Sequence, residues 1–224
     1  MKIIYYVSLV ILIFMISGFQ LTSANYADNE KAKNILENGL SYFNEPHGSW
    51  NVKNKQLILE TENPKNRRTN IWLNEDYDDF LLELEFKLNP GTNSGVFFRT
   101  SDINNPVQTG IEVQIKDDYG RAPIDKHFCG SIYDIREVSK NRVKKPGKWN
   151  QLKIICDGSL VQVHLNNRKV IDMDLSDWEE AGKNPDGTKN KFNTAYKDLA
   201  RKGKIGFQDH GGIVRFRNLK IQKL

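Results

Sequence analysis

From about residue 41 onward, apolar and polar side chains alternate in short runs separated by turn residues. Residues 80–88, FLLELEFKL, set the pattern: Leu82, Leu84, Phe86 and Leu88 fall on one side of a strand, Glu83, Glu85 and Lys87 on the other. Residues 111–116, IEVQIK, repeat it, with Ile111, Val113 and Ile115 against Glu112, Gln114 and Lys116. Residues 150–156 and 160–165 alternate on either side of Asp157-Gly158-Ser159, a strong hairpin signal, and Asn166-Asn167-Arg168 makes the next tight turn into 169–173. Further strands are expected at 49–52, 56–60, 70–73, 94–100, 131–135, 203–208 and 213–221. Many short strands with almost no helical periodicity predict an all-β, antiparallel two-sheet sandwich.

Two stretches break the rhythm. Residues 25–40 are polar with a short helical pattern, read as a lead-in carrying one loose helix. Residues 176–203 are rich in charge and turn residues, with one helix expected at 194–200. A long insertion of this kind on a β domain is usually functional or disordered. Its 184–191 segment is expected to reach over a cleft as a rim.

Residues 1–24 read as a targeting segment: Lys2, an apolar run over 3–16, then Thr22-Ser23-Ala24 as a small-residue cleavage site. The apolar run is short for a membrane span. No Cys follows it, so a lipid anchor is not expected, and an uncleaved N-terminal anchor is the alternative. The organisation is then signal peptide 1–24, lead-in 25–40 and β-sandwich domain 41–224. The protein is expected to be exported, periplasmic or extracellular, with no membrane attachment after cleavage. The net charge of +5 comes from Lys and Arg interspersed with Asp and Glu, without a basic block, which excludes a nucleic-acid footprint. In an oxidising compartment Cys129 and Cys156 permit one disulfide, and two buried free thiols are the alternative.

Candidate chemistry gathers on the polar alternates. Glu112, Gln114 and Lys116 share the solvent face of one strand, and the preceding strand, SGVFFRT, adds Arg99. His127 lies in the following loop beside Cys129, and Tyr133 a little further on. Gln208 and His210 share a face at the end of a strand, before Gly211-Gly212. His164 alternates with Val163 and Leu165, so it points away from the core. Tyr133 and Trp149 could stack on sugar faces. No cofactor is expected, although the oxygen-rich turn at Asp117 and Asp118 could hold a divalent cation. There is no Cys/His zinc spacing, phosphate loop or serine nucleophile elbow.

The order NSGVFFRT, NPVQTGIEVQIKDDYG, CGSIYDI, KPGKWNQLKI, VHLNN, NPDGTKNKF and GKIGFQDHGGIVRFRNLKI resembles the 3-keto-disaccharide hydrolase domain family of the concanavalin A-like lectin/glucanase superfold, over residues 41–224. The resemblance implies a jelly roll of two curved sheets, export in bacteria, and a carbohydrate partner oxidised at carbon 3. Two positions depart from the expected pattern. Asn167 stands where the family's turn has Gly, and Asn also tolerates a left-handed conformation. Gln114 stands where true glucanases pair a second acid, and ordinary retaining hydrolysis needs two carboxyl groups about 5 Å apart.

A 3-keto sugar offers another route: removal of the hydrogen on carbon 2, elimination at carbon 1, and hydration. On that reading Glu112, His127, His210 and Arg99 are the catalytic candidates, Glu112 first as base or polar anchor and Arg99 as enolate clamp. Gln114, Tyr133, Gln208, Lys116 and His164 are the substrate-binding candidates. The alternatives are a non-catalytic carbohydrate-binding module or an ordinary endo-glucanase on the same fold.

Overall fold

The computed structural model describes residues 31–60 and 69–224; the expected signal peptide lies outside the described residues. Among the described residues twelve strands form two antiparallel sheets. They are β1 (Lys33–Asn34), β2 (Trp50–Lys53), β3 (Gln56–Leu59), β4 (Ile71–Tyr77), β5 (Phe80–Leu88), β6 (Asn93–Thr100), β7 (Ile111–Lys116), β8 (Trp149–Asp157), β9 (Leu160–Leu165), β10 (Arg168–Asp174), β11 (Gly203–Phe207) and β12 (Val214–Lys223). The larger sheet runs β10-β9-β8-β5-β12-β3-β2, with β1 also on β12. The smaller runs β4-β11-β6-β7.

The alternation does what it predicts. On β5, Leu82, Leu84, Phe86 and Leu88 are buried while Glu83, Glu85 and Lys87 are half-buried. From the smaller sheet Ile71, Val96, Phe98, Ile111, Val113, Ile115, Ile205 and Phe207 face them, and one continuous core results. Burial of these side chains, at about 25 cal/mol per Å² of apolar surface, is the main stabilising term. The Asn166-Asn167 turn has both residues left-handed (φ 51° and 62°), so Asn167 does what Gly does elsewhere.

Five expectations change. The lead-in is no helix over its described part: Lys33 and Asn34 pair with Ile221 and Lys220, and Ile35 and Leu36 are buried in the core. Residues 131–135 form no regular strand. The loop instead hydrogen-bonds along the free edge of β7, with Gly130 N–H donating to Gln114 O (2.8 Å) and Tyr133 N–H to Glu112 O (3.0 Å). The helix expected at 194–200 is a single 3-10 turn, Tyr196–Asp198. Cys129 and Cys156 are both buried free thiols, so the disulfide is not formed. Burial pushes each thiol up to about 12, which keeps it unreactive.

Arg99 is the largest correction. Alternation from Gly95 and Phe97 would put it on the outer face of β6. Opposite β11, however, Lys204 pairs with Thr100 and Gly206 with Phe97, so Phe98 and Arg99 share the place of Ile205. This is a bulge, with Arg99 left-handed at φ 50°. The side chain turns inward and is fully buried. Its guanidinium donates to Asp78 O (2.9 Å), Gly158 O (2.8 Å) and Asp79 Oδ1 (2.9 Å). These three bonds hold the guanidinium inside the fold with no exposed surface, away from the outer face of the smaller sheet.

Removing one member of such a buried set strands the others. Arg99→Ala is expected to cost roughly 3–5 kcal/mol of unfolding free energy, read as a lower urea midpoint. A midpoint within error of the parent would show that the clamp contributes nothing.

Candidate functional site

The outer face of the smaller sheet carries one cross-strand row. Gly206 of β11 pairs with Trp72 of β4 on one side and Phe97 of β6 on the other, and Phe97 pairs with Glu112 of β7. The adjoining row holds Gly95 opposite Gln114, with Gln208 N–H donating to Gly95 O (2.9 Å). The two glycines shape the surface. A Cβ on Gly206 would lie 2.3 Å from the Trp72 ring. One on Gly95 would lie 2.3 Å from Glu112 Oε1. Trp72 therefore lies flat over Gly206, stacked on Phe97 (5.8 Å, 27°), and the Glu112 carboxylate lies across Gly95.

Glu112 is only 7% exposed. Burial penalises its charged form and raises its pKa from 4.5 to about 7, against the opposing pull of the Lys191 ammonium and a hydrogen bond from the Gln208 side chain. Lys191 belongs to the 176–203 insertion. Its ammonium sits 4.0 Å from the centre of the Tyr133 ring. Its main chain is pinned on both sides: Lys191 N–H donates to Asp134 Oδ2 (3.0 Å) and Gln108 Nε2 donates to Lys191 O (3.0 Å). Lys126 Nζ adds a bond to Thr188 Oγ1 (2.7 Å). The 184–191 rim is thus an anchored part of the site wall. Asp134 is itself left-handed at φ 62°, a strained conformation that clusters at functional sites.

Other expected residues sort by place. Tyr133 and His127 are brought to this wall, edge-to-face at 4.9 Å. His127 is half-exposed between Asp125 (Nδ1 to Oδ1, 3.5 Å) and Asp134 (Nε2 to Oδ1, 3.4 Å). Gln208 and His210 border an open cleft of about 630 Å³, together with Trp72, Phe97, Ile103 and Asn44. Gln114 is buried and donates to Asn93 Oδ1 (3.1 Å). Lys116 faces the turn, 3.4 Å from Asp118 Oδ1.

Asp118 is fully buried and accepts from Cys129 N–H (3.0 Å), and Asp117 accepts from Gly91 N–H (3.0 Å). Both therefore hold the turn. Among the described residues no group of three or more His, Cys, Asp and Glu is placed to hold a metal ion.

His164 is not part of this constellation. It projects from β9 on the outer face of the larger sheet, opposite Lys153 and Lys169, so the whole sandwich separates it from Glu112. Trp149 lies on the larger sheet too, covered by the Arg217 guanidinium at 4.0 Å and Lys87 at 4.8 Å. Sequence reasoning passed over Trp72 and Phe97, and it placed Lys191 only within the expected 184–191 rim, without a role of its own. Phe97 carried a signal, because it alternates with core residues Val96 and Phe98 and must face outward. The effect of the Lys191 ammonium on Glu112 carried none, because it depends on how the insertion folds back.

The fold and site together define a two-sheet sandwich presenting one desolvated carboxylate beside an aromatic shelf. The chain belongs to the 3-keto-alpha-glucoside-1,2-lyase-like domain family, whose model matches residues 24–222. It is similar to a 3-keto-disaccharide hydrolase of Bacteroides thetaiotaomicron, 26% identical over 172 residues, or 66% of this chain and 59% of that protein. The chain thus spans about three-fifths of the curated relative it matches. Among solved structures it resembles a candidate glycosyl hydrolase of Parabacteroides distasonis (34% identity, TM-score 0.79, 87% of this chain and 100% of the other). A Bacillus subtilis protein with a galectin-like fold shares the architecture only (13% identity, TM-score 0.51, 79% of this chain and 87% of the other).

The raised pKa of Glu112 fixes the sign of a stability effect. Between its usual 4.5 and about 7, the unfolded chain releases the proton while the folded one keeps it, so stability falls as pH rises through that window. The total is about 3 kcal/mol. Glu112→Gln is expected to match the parent in melting temperature near pH 4 and to exceed it by several degrees at pH 8. A variant less stable at pH 8 than at pH 4, relative to the parent, would refute the desolvation account.

Proposed function

We propose that the protein is an exported enzyme acting on 3-keto-glycosides, with Glu112 as the base. The observation that carries this reading is the state of Glu112: a buried carboxylate poised near neutral pH, acted on by an ammonium rather than by a second carboxylate. A base is most effective when its pKa lies near the working pH. The residue two places along the strand is Gln114, tied to Asn93, so the strand lacks the paired acids of a retaining glucanase. The family description and the name of the Bacteroides relative support the keto-sugar class, and the apolar run at residues 3–16 supports export.

Glu112 takes the proton from carbon 2, and the C–H electron pair forms the enolate with the carbon 3 carbonyl. The Lys191 ammonium supplies positive charge on that side of the site, where a developing oxyanion is stabilised. The enolate re-forms the carbonyl and expels the glycosidic oxygen from carbon 1, leaving a double bond between carbons 1 and 2. The departing oxygen takes a proton from His127, which is held between Asp125 and Asp134. Water adds to carbon 1 and gives up a proton that restores His127, and Glu112 returns its proton to carbon 2. The net result is hydrolysis, with the base restored. The cleft over Trp72 and Phe97 accommodates the remainder of the glycoside, as aromatic shelves do for sugar faces.

The test is aglycone release from a chromogenic 3-keto-glucoside beside the matching unoxidised glucoside. Release from the keto sugar alone is expected, with kcat/KM falling below about pH 7 as Glu112 protonates. Glu112→Gln should lower kcat roughly 10²–10⁴-fold, and Lys191→Ala by a smaller factor. Release from the plain glucoside, or full turnover by Glu112→Gln, would overturn the reading. Saturable sugar binding without release would leave a carbohydrate-binding module.

A further inference from the structure

Tyr133 does not line the cleft over Trp72 and Phe97. Its ring carries the Lys191 ammonium 4.0 Å from its centre, and the His127 ring is set edge-to-face against it at 4.9 Å. A ring that stacks on a sugar must offer it a bare face, and one face of Tyr133 is already given to a cation. The ring is also fixed at its root. Tyr133 N–H donates to Glu112 O (3.0 Å), which ties this aromatic seat to the strand that carries Glu112.

The next residue grips the same lysine by its main chain. Asp134 Oδ2 accepts from Lys191 N–H (3.0 Å), while Asp134 N–H donates to Lys126 O (3.0 Å). In an extended chain consecutive side chains point to opposite faces, so neighbouring residues do not ordinarily hold one partner with both side chains. Asp134 is left-handed at φ 62°, and that turn of the backbone lets the Tyr133 ring and the Asp134 carboxylate meet the same residue. A non-glycine residue keeps this conformation only where its surroundings hold it, and the contacts with Lys126 and Lys191 do so here. On its other side the Lys191 carbonyl accepts from Gln108 Nε2 (3.0 Å). The main chain of Lys191 is thus fixed twice, and the ring is what holds its long, exposed side chain.

We infer that Tyr133 and Asp134 are positioning residues that clamp Lys191 at two points: the Asp134 carboxylate fixes its main chain, and the Tyr133 ring seats its ammonium next to the strand that carries Glu112. The Coulombic pull of that ammonium on the Glu112 carboxyl agrees with this placement. The effect of the clamp on turnover rests on the reading of Glu112 as the base and Lys191 as the cation facing the developing oxyanion. The clamp itself does not.

The experiment reads the lysine first, by NMR of the protein without substrate, with the Lys191 signals assigned by their loss in Lys191→Ala. The ε-methylene protons of Lys191 should lie upfield of the ordinary lysine position, because an aromatic ring shields what sits over its face. Tyr133→Phe should keep that displacement, and Tyr133→Leu should abolish it. Asp134→Gly, which keeps the left-handed backbone and removes the carboxylate, should reduce it. An ordinary position in the wild type, or a displacement unchanged in Tyr133→Leu or in Asp134→Gly, would overturn the inference. If Tyr133→Leu does not fold, the wild type decides: a nuclear Overhauser contact between the Lys191 ε protons and the Tyr133 ring is expected, and its absence would overturn the clamp. In turnover of a 3-keto-glucoside, Tyr133→Leu should lower kcat about 2–5-fold at nearly constant KM, and Tyr133→Phe should retain it. In the Lys191→Ala background Tyr133→Leu should cost nothing further. A KM raised equally in both backgrounds would show a ring that stacks on the sugar, and the inference would fall. An enzyme inactive on the keto sugar would remove the proposed reaction and leave the spectra to decide the clamp.

Discussion

The Arg99 guanidinium holds the two sheets to each other at one end of the sandwich. It starts on β6 of the smaller sheet and donates to the β4–β5 connection at Asp78 and Asp79 and to the β8–β9 turn at Gly158. Asp79 Oδ1 also accepts from Gly158 N–H (2.8 Å), which closes the arrangement. A buried cation persists only if fully paired, so the bulge, the left-handed backbone at Arg99 and both turns are specified together. Above the bulge β6 keeps strict alternation, and that alternation presents Gly95 and Phe97 outward in register with Glu112.

The site follows from a second constraint, the desolvation of Glu112. A carboxylate can lie against a sheet only where the neighbouring strand offers room, and Gly95 offers it. The same device at Gly206 seats Trp72. Desolvation costs stability at neutral pH, and that cost is what places the group in the range useful for proton transfer. The compensating ammonium comes from Lys191, distant in sequence and carried by an insertion pinned through Asp134 and Gln108. The electrostatics of the sheet face therefore depend on a segment that is not part of any sheet.

The outer face of the larger sheet shows the contrast. Its polar alternates neutralise each other: Lys153 with Glu83 at 2.6 Å, and Arg217 with Glu85 at 2.6 Å while also covering Trp149. Exposed pairs of this kind are worth little individually, but they leave Trp149 covered and His164 among lysines. The same alternating pattern thus made a solvated surface on one sheet and a desolvated row on the other.

The sequence by itself determined the class of fold, the principal strands and hairpins, and the outward direction of Glu112, Gln114, Gln208 and His164. Those properties depend on local periodicity and turn chemistry, and a period of two is legible without knowing any partner strand. It also supplied the resemblance that named the family. Tertiary structure decided which outward residues meet. Arg99 and His164 were read from alternation, and each left the site for a non-local reason, a one-residue bulge against β11 and membership of the opposite sheet. The thiols of Cys129 and Cys156 stay free inside the core. Lys191 acts on Glu112 only because the insertion folds back onto Asp134 and Gln108. Strand pairing order, bulges and loop docking are set by contacts between residues far apart in the chain, and no local pattern of polarity encodes them.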